Sequence, residues 1–311
     1  MFLEKAYAGQ NNRWSAYLFT VVVVFVAMQV GAIPDALYRL WMYPDTNVLP
    51  AVDVVRLALA LFSFVVTLAA LLACVKYLHG KPVGALFSGR RRFDFHRVIR
   101  GAVIWGVLLL LMTGVTFAIT RPTLRFQLDW APFLGTCLVL ALLLPFQVAC
   151  EECLCRGYLM QGFAALFKYR WIPLALTSLI FGLLHGLNPE VVKFGFWTMM
   201  PKYVLMGLLL GYVTIKDGGL ELALGLHFIN NLLSALLVTH ESSALQTPAL
   251  FVDVNPVASH WETLAMAVAA LLFIWLCNKK YHFMHHNNLR GKVEDSRKFV
   301  PLASETENNK Q

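Results

Sequence analysis

The sequence predicts an all-α fold: a polytopic transmembrane helix bundle of about eight spans with both termini on the cytoplasmic side. Three observations carry this expectation. Hydrophobic residues make up 58% of the 311 residues and charged ones only 14%, with a mean hydropathy of +0.62, far from the composition of soluble domains. Apolar runs near the ~20 residues needed to cross a bilayer recur along the chain, each broken by Pro, Gly or a charge cluster. Finally, the basic residues alternate between loops. With the N-terminus inside, 19 of the 26 Lys and Arg fall on inner segments and 5 on outer ones, while Arg56 and Arg156 lie within helices. This is the pattern of positive charge retained on the cytoplasmic side.

The spans are expected near residues 15–33, 53–75, 98–119, 131–150, 171–187, 199–215, 219–238 and 261–277. The first lacks a small-residue cleavage site after a short apolar core, so it reads as a retained anchor. Residues 34–52, with Asp35 and Asp45, form one outer loop; residues 239–260, with His240, Glu241, Asp253 and His260, form another. Between the second and third spans, the run Arg90-Arg91-Arg92-Phe93-Asp94-Phe95-His96-Arg97 reads as a topology anchor. There is no internal repeat and no long linker, so residues 1–289 form a single transmembrane domain. The polar stretch 290–311 is expected to be a disordered cytoplasmic tail.

The net charge of +8 follows membrane topology, and nucleic-acid binding is not expected. All six cysteines lie inside or at the edges of apolar spans, and none is in an outer loop. They read as small apolar packing residues and not as a disulfide framework or a zinc set.

Against this apolar background, Glu151-Glu152-Cys153-Leu154-Cys155-Arg156 places three ionisable groups at membrane depth. Each costs on the order of 3 kcal/mol there unless it is paired or used. Further polar groups lie within later spans: His185, then His227, Asn230 and Asn231. Glu152 and Arg156 are i and i+4 with the acid first, the orientation that favours a pair on one helix face. Glu151 is turned about 100° from Glu152 and is left free to act. It precedes the inner turn Lys168-Tyr169-Arg170 by about as many residues as His185 follows it, so at about 1.5 Å per residue the two reach comparable depth. His227 and Asn231 are again i and i+4 and point to one side. A carboxylate and an imidazole activating a water, opposite two hydrogen-bond donors, make up the equipment for amide hydrolysis.

The three motifs EExxxR, FxxxH and HxxxN, in this order inside membrane spans, resemble the CAAX protease and bacteriocin-processing family, also called the Abi family, and within it the type II CAAX prenyl endopeptidases. The resemblance covers roughly residues 130–240. It implies an intramembrane glutamic endopeptidase with a water-accessible cavity open toward the cytoplasm. It further implies Glu151 as general base, His185 as a group orienting the water, His227 and Asn231 as the oxyanion site, and Glu152 and Arg156 as supporting residues. Phe181, from the second motif, is expected to be a packing residue.

Other classes use the same residues differently. Glu151, His185 and His227 are also a donor set suited to catalytic zinc with an open fourth position, which would make the chain a metal-dependent membrane protease; the glutamate-first motif and Asn231 favour a mechanism with no cofactor. A transport protein, a satisfied polar glue between helices, and a non-catalytic immunity or scaffold protein are further alternatives. The absence of inverted repeats counts against transport. The expected partners are the bilayer and a membrane protein or lipid-anchored peptide as substrate. The expected location is the cell membrane, or an endomembrane in a eukaryote.

Overall fold

The computed structural model describes residues 2–43, 53–120, 123–283 and 288–295. A short 3-10 helix, Leu3–Ala8, precedes α1 (Trp14–Met42) and α2 (Val54–Ala73), which a π-helical turn extends to Leu78. A single helical turn, α3 (Gly84–Phe87), leads into α4 (Phe95–Thr120). Next comes β1 (Leu124–Phe126), then α5 (Trp130–Glu152), a π-helical segment Cys153–Leu159 and α6 (Met160–Phe167), the three helical pieces forming one continuous rod. The chain continues through α7 (Trp171–Leu184), α8 (Pro189–Phe194), α9 (Phe196–Asp217) and α10 (Glu221–Leu237). It closes with β2 (Val238–Thr239), β3 (Phe251–Asp253) and α11 (His260–Tyr281).

Each of the eight expected spans is helical over most of its length, and among the described residues six helices are long and apolar enough to cross a membrane. The remaining two, α7 and α10, are shorter apolar helices; at about 1.5 Å per residue neither spans the full ~30 Å of hydrocarbon. Large apolar side chains such as Phe25, Leu110, Leu138 and Leu271 stand exposed around the outside of the bundle, as they do where lipid is the solvent.

Close packing of α4 against α10 sets the depth of the interior. A Cβ on Gly225 would lie 1.9 Å from the Val98 carbonyl oxygen, and one on Gly101 2.5 Å from that of Leu222. Two backbones can approach this closely only where side chains are absent, the usual device of helix pairs in a bilayer, where hydrophobic driving force between helices is lacking. Around this contact Trp105, Leu226, Met266 and Phe273 form a buried core.

Three expectations need correction. The loop expected over 34–52 begins later, because α1 carries Pro34 within it and runs to Met42; residues 44–52 lie outside the described residues. The outer loop 239–260 is partly ordered as a small sheet, order β1-β3-β2, in which Arg125 pairs antiparallel with Val252 and Val238 pairs parallel with Phe251. Finally, the start of the polar tail is docked: Val293 N–H donates to the Lys168 carbonyl at 2.8 Å and Lys292 bridges to Tyr169. The rest of the tail, 296–311, lies outside the described residues.

The arginine run also does more than mark topology. Arg90 bonds both Asp217 and Glu221 at 2.9 Å, and Arg97 pairs with Asp217. The run therefore fixes the turn between α9 and α10, which carry much of the polar interior.

Candidate active site

The sequence motif 151–156 straddles the junction of α5 and the π-helical segment Cys153–Leu159. Such wide turns inside helices recur at functional sites because they re-aim side chains without ending the rod. The expected Glu152–Arg156 pair is present: Arg156 Nη1 donates to Glu152 Oε1 at 2.7 Å, and both side chains are fully buried. Arg156 Nη2 donates to the Gly207 carbonyl on α9 at 3.2 Å, and its guanidinium lies 4.3 Å over the Phe181 ring on α7. One cation thus ties three helices together.

His227, on α10, approaches the same carboxylate. Its Nδ1 lies 2.8 Å from Glu152 Oε1. Because Glu152 also accepts from a guanidinium, its oxygens act as acceptors, so Nδ1–H is the donor and Nε2 is turned to the other side. On that side Nε2 stands 3.5 Å from Glu151 Oε2. Glu151 keeps 20% of its side chain accessible, whereas Glu152 keeps none. The two adjacent acids therefore have different environments: one sealed behind Arg156 and His227, the other facing open space.

The imidazole nearest Glu151 is therefore His227, where depth counting favoured His185. His185, at the C-terminal end of α7, bonds through Nδ1 to the Phe181 carbonyl at 2.7 Å. Its ring is stacked on Tyr203 at 4.6 Å and packed against Phe181, also at 4.6 Å. With Nδ1–H held by a carbonyl, Nε2 is left as an acceptor. Phe181 does pack, as expected, but its place is specific: it lies beneath Arg156 and between the two imidazoles.

Asn231 lies one turn beyond His227, as the HxxxN spacing requires. It reaches Glu151 through a residue the motifs do not contain. Asn231 Nδ2 donates to Gln147 Oε1 at 3.1 Å, and Gln147 Nε2 donates to Glu151 Oε1. Behind them, Trp105 Nε1–H donates to Asn230 Oδ1 at 3.1 Å and Asn230 Nδ2 to Asn231 Oδ1 at 3.2 Å. A chain of carboxamides therefore runs from Trp105 to Glu151. Gln147 had a legible signal: an isolated amide within the apolar run of α5, one turn before Glu151 and on its face.

Glu151, Gln147, His185, His227 and Asn231 all line one cavity of about 670 Å³. From these residues the walls rise past Thr113 and Phe117 on α4 and Leu237 on α10 to Ala244, Asp253 and Val257, where Val257 is 69% exposed. The cavity thus opens at the end of the bundle that holds the sheet, opposite the end that gathers the basic loops. This differs from an opening toward the cytoplasmic end. α7 and α10 both run from the basic end toward the sheet end, and there the cavity walls are made by α8, the start of α9, the end of α4 and the loop 240–258.

Of the donors a zinc site would use, His227 Nε2 and Glu151 Oε2 stand 3.5 Å apart, and His185 lines the same cavity. Nδ1 of each histidine is engaged, by Glu152 and by the Phe181 carbonyl. Among the described residues no three His, Cys, Asp or Glu side chains are placed to hold one metal ion.

Comparison with known proteins bears on the same stretch of chain. Residues 130–233 match the family model described as type II CAAX prenyl endopeptidase Rce1-like, in keeping with the resemblance drawn from the three motifs. The chain is also similar along nearly its whole length to the uncharacterized protein YyaK of Bacillus subtilis (strain 168): 26% identity over 305 residues, covering 93% of this chain and 97% of the relative. No solved structure matches it.

Proposed function

We propose that this multi-pass helical protein, whose core carries an Rce1-like segment, is an intramembrane endopeptidase that hydrolyses a peptide bond of a membrane-associated protein or peptide with Glu151 as general base and without a metal. The observation that carries the proposal is the inequality of the two acids. Glu152 is neutralised and committed to Arg156 and His227, while Glu151 presents its carboxylate to the cavity beside His227 Nε2.

In this reading a water in the cavity is held by Glu151 and by Nε2 of His185. Glu151 takes a proton from it as the oxygen attacks the substrate carbonyl carbon. Charge develops on the carbonyl oxygen, where the second N–H of Asn231 and, once Nε2 carries a proton, His227 are the donors; loss of one such donor typically costs about 10²–10³ in rate. Glu151 then returns the proton to the leaving nitrogen as the C–N bond breaks, releasing a carboxylic acid and an amine. Arg156 and Glu152 hold the imidazole in register and touch no reacting atom. The carboxamide of Asn231, a donor to a developing oxyanion and a poor zinc ligand, favours the metal-free form.

The test is cleavage of a degenerate peptide library by the purified full chain in nanodiscs, run with and without a strong chelator and accompanied by elemental analysis. Cutting that persists in chelator and disappears in Glu151→Gln supports the proposal. Cutting that requires stoichiometric zinc would replace it with the metal-dependent reading.

A further inference from the structure

The cavity has a direction and a sign of charge, and neither is accounted for by the hydrolytic machinery. At one end of the bundle the turn 168–170, the residues around Ser88 and Gly219, and the docked residues 291–293 are knitted together by the pairs Tyr169–Lys292 and Ser88–Gly219. This end carries most of the basic residues, among them Arg90 to Arg92, Lys168, Arg170, Lys279 and Lys280. The other end carries the three-stranded sheet and the cavity mouth. Retention of Lys- and Arg-rich loops on the cytoplasmic side therefore directs the mouth away from the cytoplasm.

The lining is acidic in a protein whose net charge is +8. Glu151, Glu190, Asp253 and Glu262 face the cavity together with one lysine, Lys202. That lysine is committed to Glu262 at 2.7 Å, and nearby Lys193 pairs with Glu241. Among the described residues Glu190 has no lysine or arginine partner, and the titratable side chain that senses its charge is His240. Glu190 Oε1 accepts from Tyr203 O–H, whereas Oε2 is buried without a hydrogen-bond partner. A carboxylate oxygen on a cavity wall that no protein donor reaches can take a donor from an incoming ligand, most strongly a cationic one.

Resting on the protease reading above, we propose that the cavity admits a cationic peptide segment presented from the non-cytoplasmic side of the membrane, with Glu190 as the carboxylate that selects its positive charge. The low-dielectric walls concentrate the field of the acids toward the mouth. A segment bearing Lys or Arg is drawn in, and one bearing a carboxylate is turned away by like charge.

The experiment uses the full chain carrying Glu151→Gln in intact cells, so that no reading depends on turnover. A membrane-impermeant maleimide is expected to label Ala244→Cys at the mouth before lysis and Lys292→Cys at the opposite end only after lysis, with the parent chain setting the background. Tetra-arginine amide is expected to slow labelling of Ala244→Cys and tetra-glutamate to leave it unchanged. Glu190→Gln should weaken the arginine protection roughly tenfold, the low end for one close charge pair. Labelling of Lys292→Cys before lysis overturns the direction, and equal protection by both peptides, or protection indifferent to Glu190→Gln, overturns the charge selection. A chain that behaves as expected here but cuts no peptide in nanodiscs would sink the protease reading alone.

Discussion

His227 Nδ1 and Glu152 Oε1 lie 2.8 Å apart, joining α10 to the end of α5 through a carboxylate that is itself fully buried and held by Arg156. This contact fixes which ring nitrogen of His227 faces Glu151. Replacing Glu152 by Gln keeps the volume but removes the charge that balances an imidazolium and lets the ring choose the other tautomer. The expected result is a fall in kcat of about 10²–10⁴ with little change in KM, the scale of misplaced acid–base groups. Steady-state kinetics on a cleavable peptide decide the matter; an unchanged kcat would remove Glu152 from the account.

Arg156→Met should act on stability before it acts on chemistry. It leaves Glu152 buried without its cation and withdraws the contacts to Gly207 and Phe181. Breaking a buried pair from one side costs about 3–5 kcal/mol. A clear drop in the thermal midpoint of the purified protein is expected, and the double variant Arg156→Met with Glu152→Leu should recover much of it, because no uncompensated charge then remains.

Gln147→Leu tests the carboxamide chain. The substitution is close in size and apolar like the rest of α5, so the fold should persist. It frees the Gln147-facing oxygen of Glu151 and the N–H of Asn231 together. Turnover is expected to fall by about 10²-fold, as when an oriented donor is lost, with the thermal midpoint nearly unchanged. Retention of full turnover would show that Glu151 and Asn231 are positioned without it.

These variants mark the boundary of what was legible in the chain. Charged and amide side chains inside apolar runs are conspicuous, and i,i+4 spacing made both the Glu152–Arg156 pair and the shared face of His227 and Asn231 readable. Pairing across helices is not encoded by spacing within one helix. Equal depth of Glu151 and His185 said nothing about rotation around α7, and the structure turns His185 toward Tyr203 and the Phe181 carbonyl. The small sheet is not legible because strands of two or three residues carry no periodicity. The direction of the cavity follows from how α4, α8, α9 and the loop before α11 pack around the ends of α7 and α10, a matter of three-dimensional packing alone.

Gly225→Ala tests the packing that delivers His227. Its Cβ would meet the Val98 carbonyl oxygen, a backbone atom that cannot rotate away. Overpacking of this kind costs about 1–3 kcal/mol, and α10 has to shift, carrying His227 with it two residues later. Loss of activity out of proportion to the loss of thermal stability is expected. Gly114→Ala, whose Cβ would meet nothing within 4 Å, is the control and should leave both unchanged.

Lys81, in the loop after the second span, is buried, and burial, reinforced by the charge of Lys5, lowers its pKa from 10.5 to about 7. Between those two values the unfolded chain binds a proton that the folded chain does not, so this group makes stability rise with pH from about 7 toward 10.5, and its penalty is complete below about 7. Lys81→Met removes the penalty. The thermal midpoint of the variant relative to the native chain should be most favourable near pH 6 and decline as pH rises; a difference independent of pH would contradict the assignment.

The most direct measurement is the comparison of new protein termini in membranes of cells expressing the native chain or Glu151→Gln at equal levels. The account predicts termini that arise only with the native chain, from membrane-associated substrates, while the variant protein remains folded in the bilayer. The same termini appearing at undiminished abundance with Glu151→Gln would contradict it.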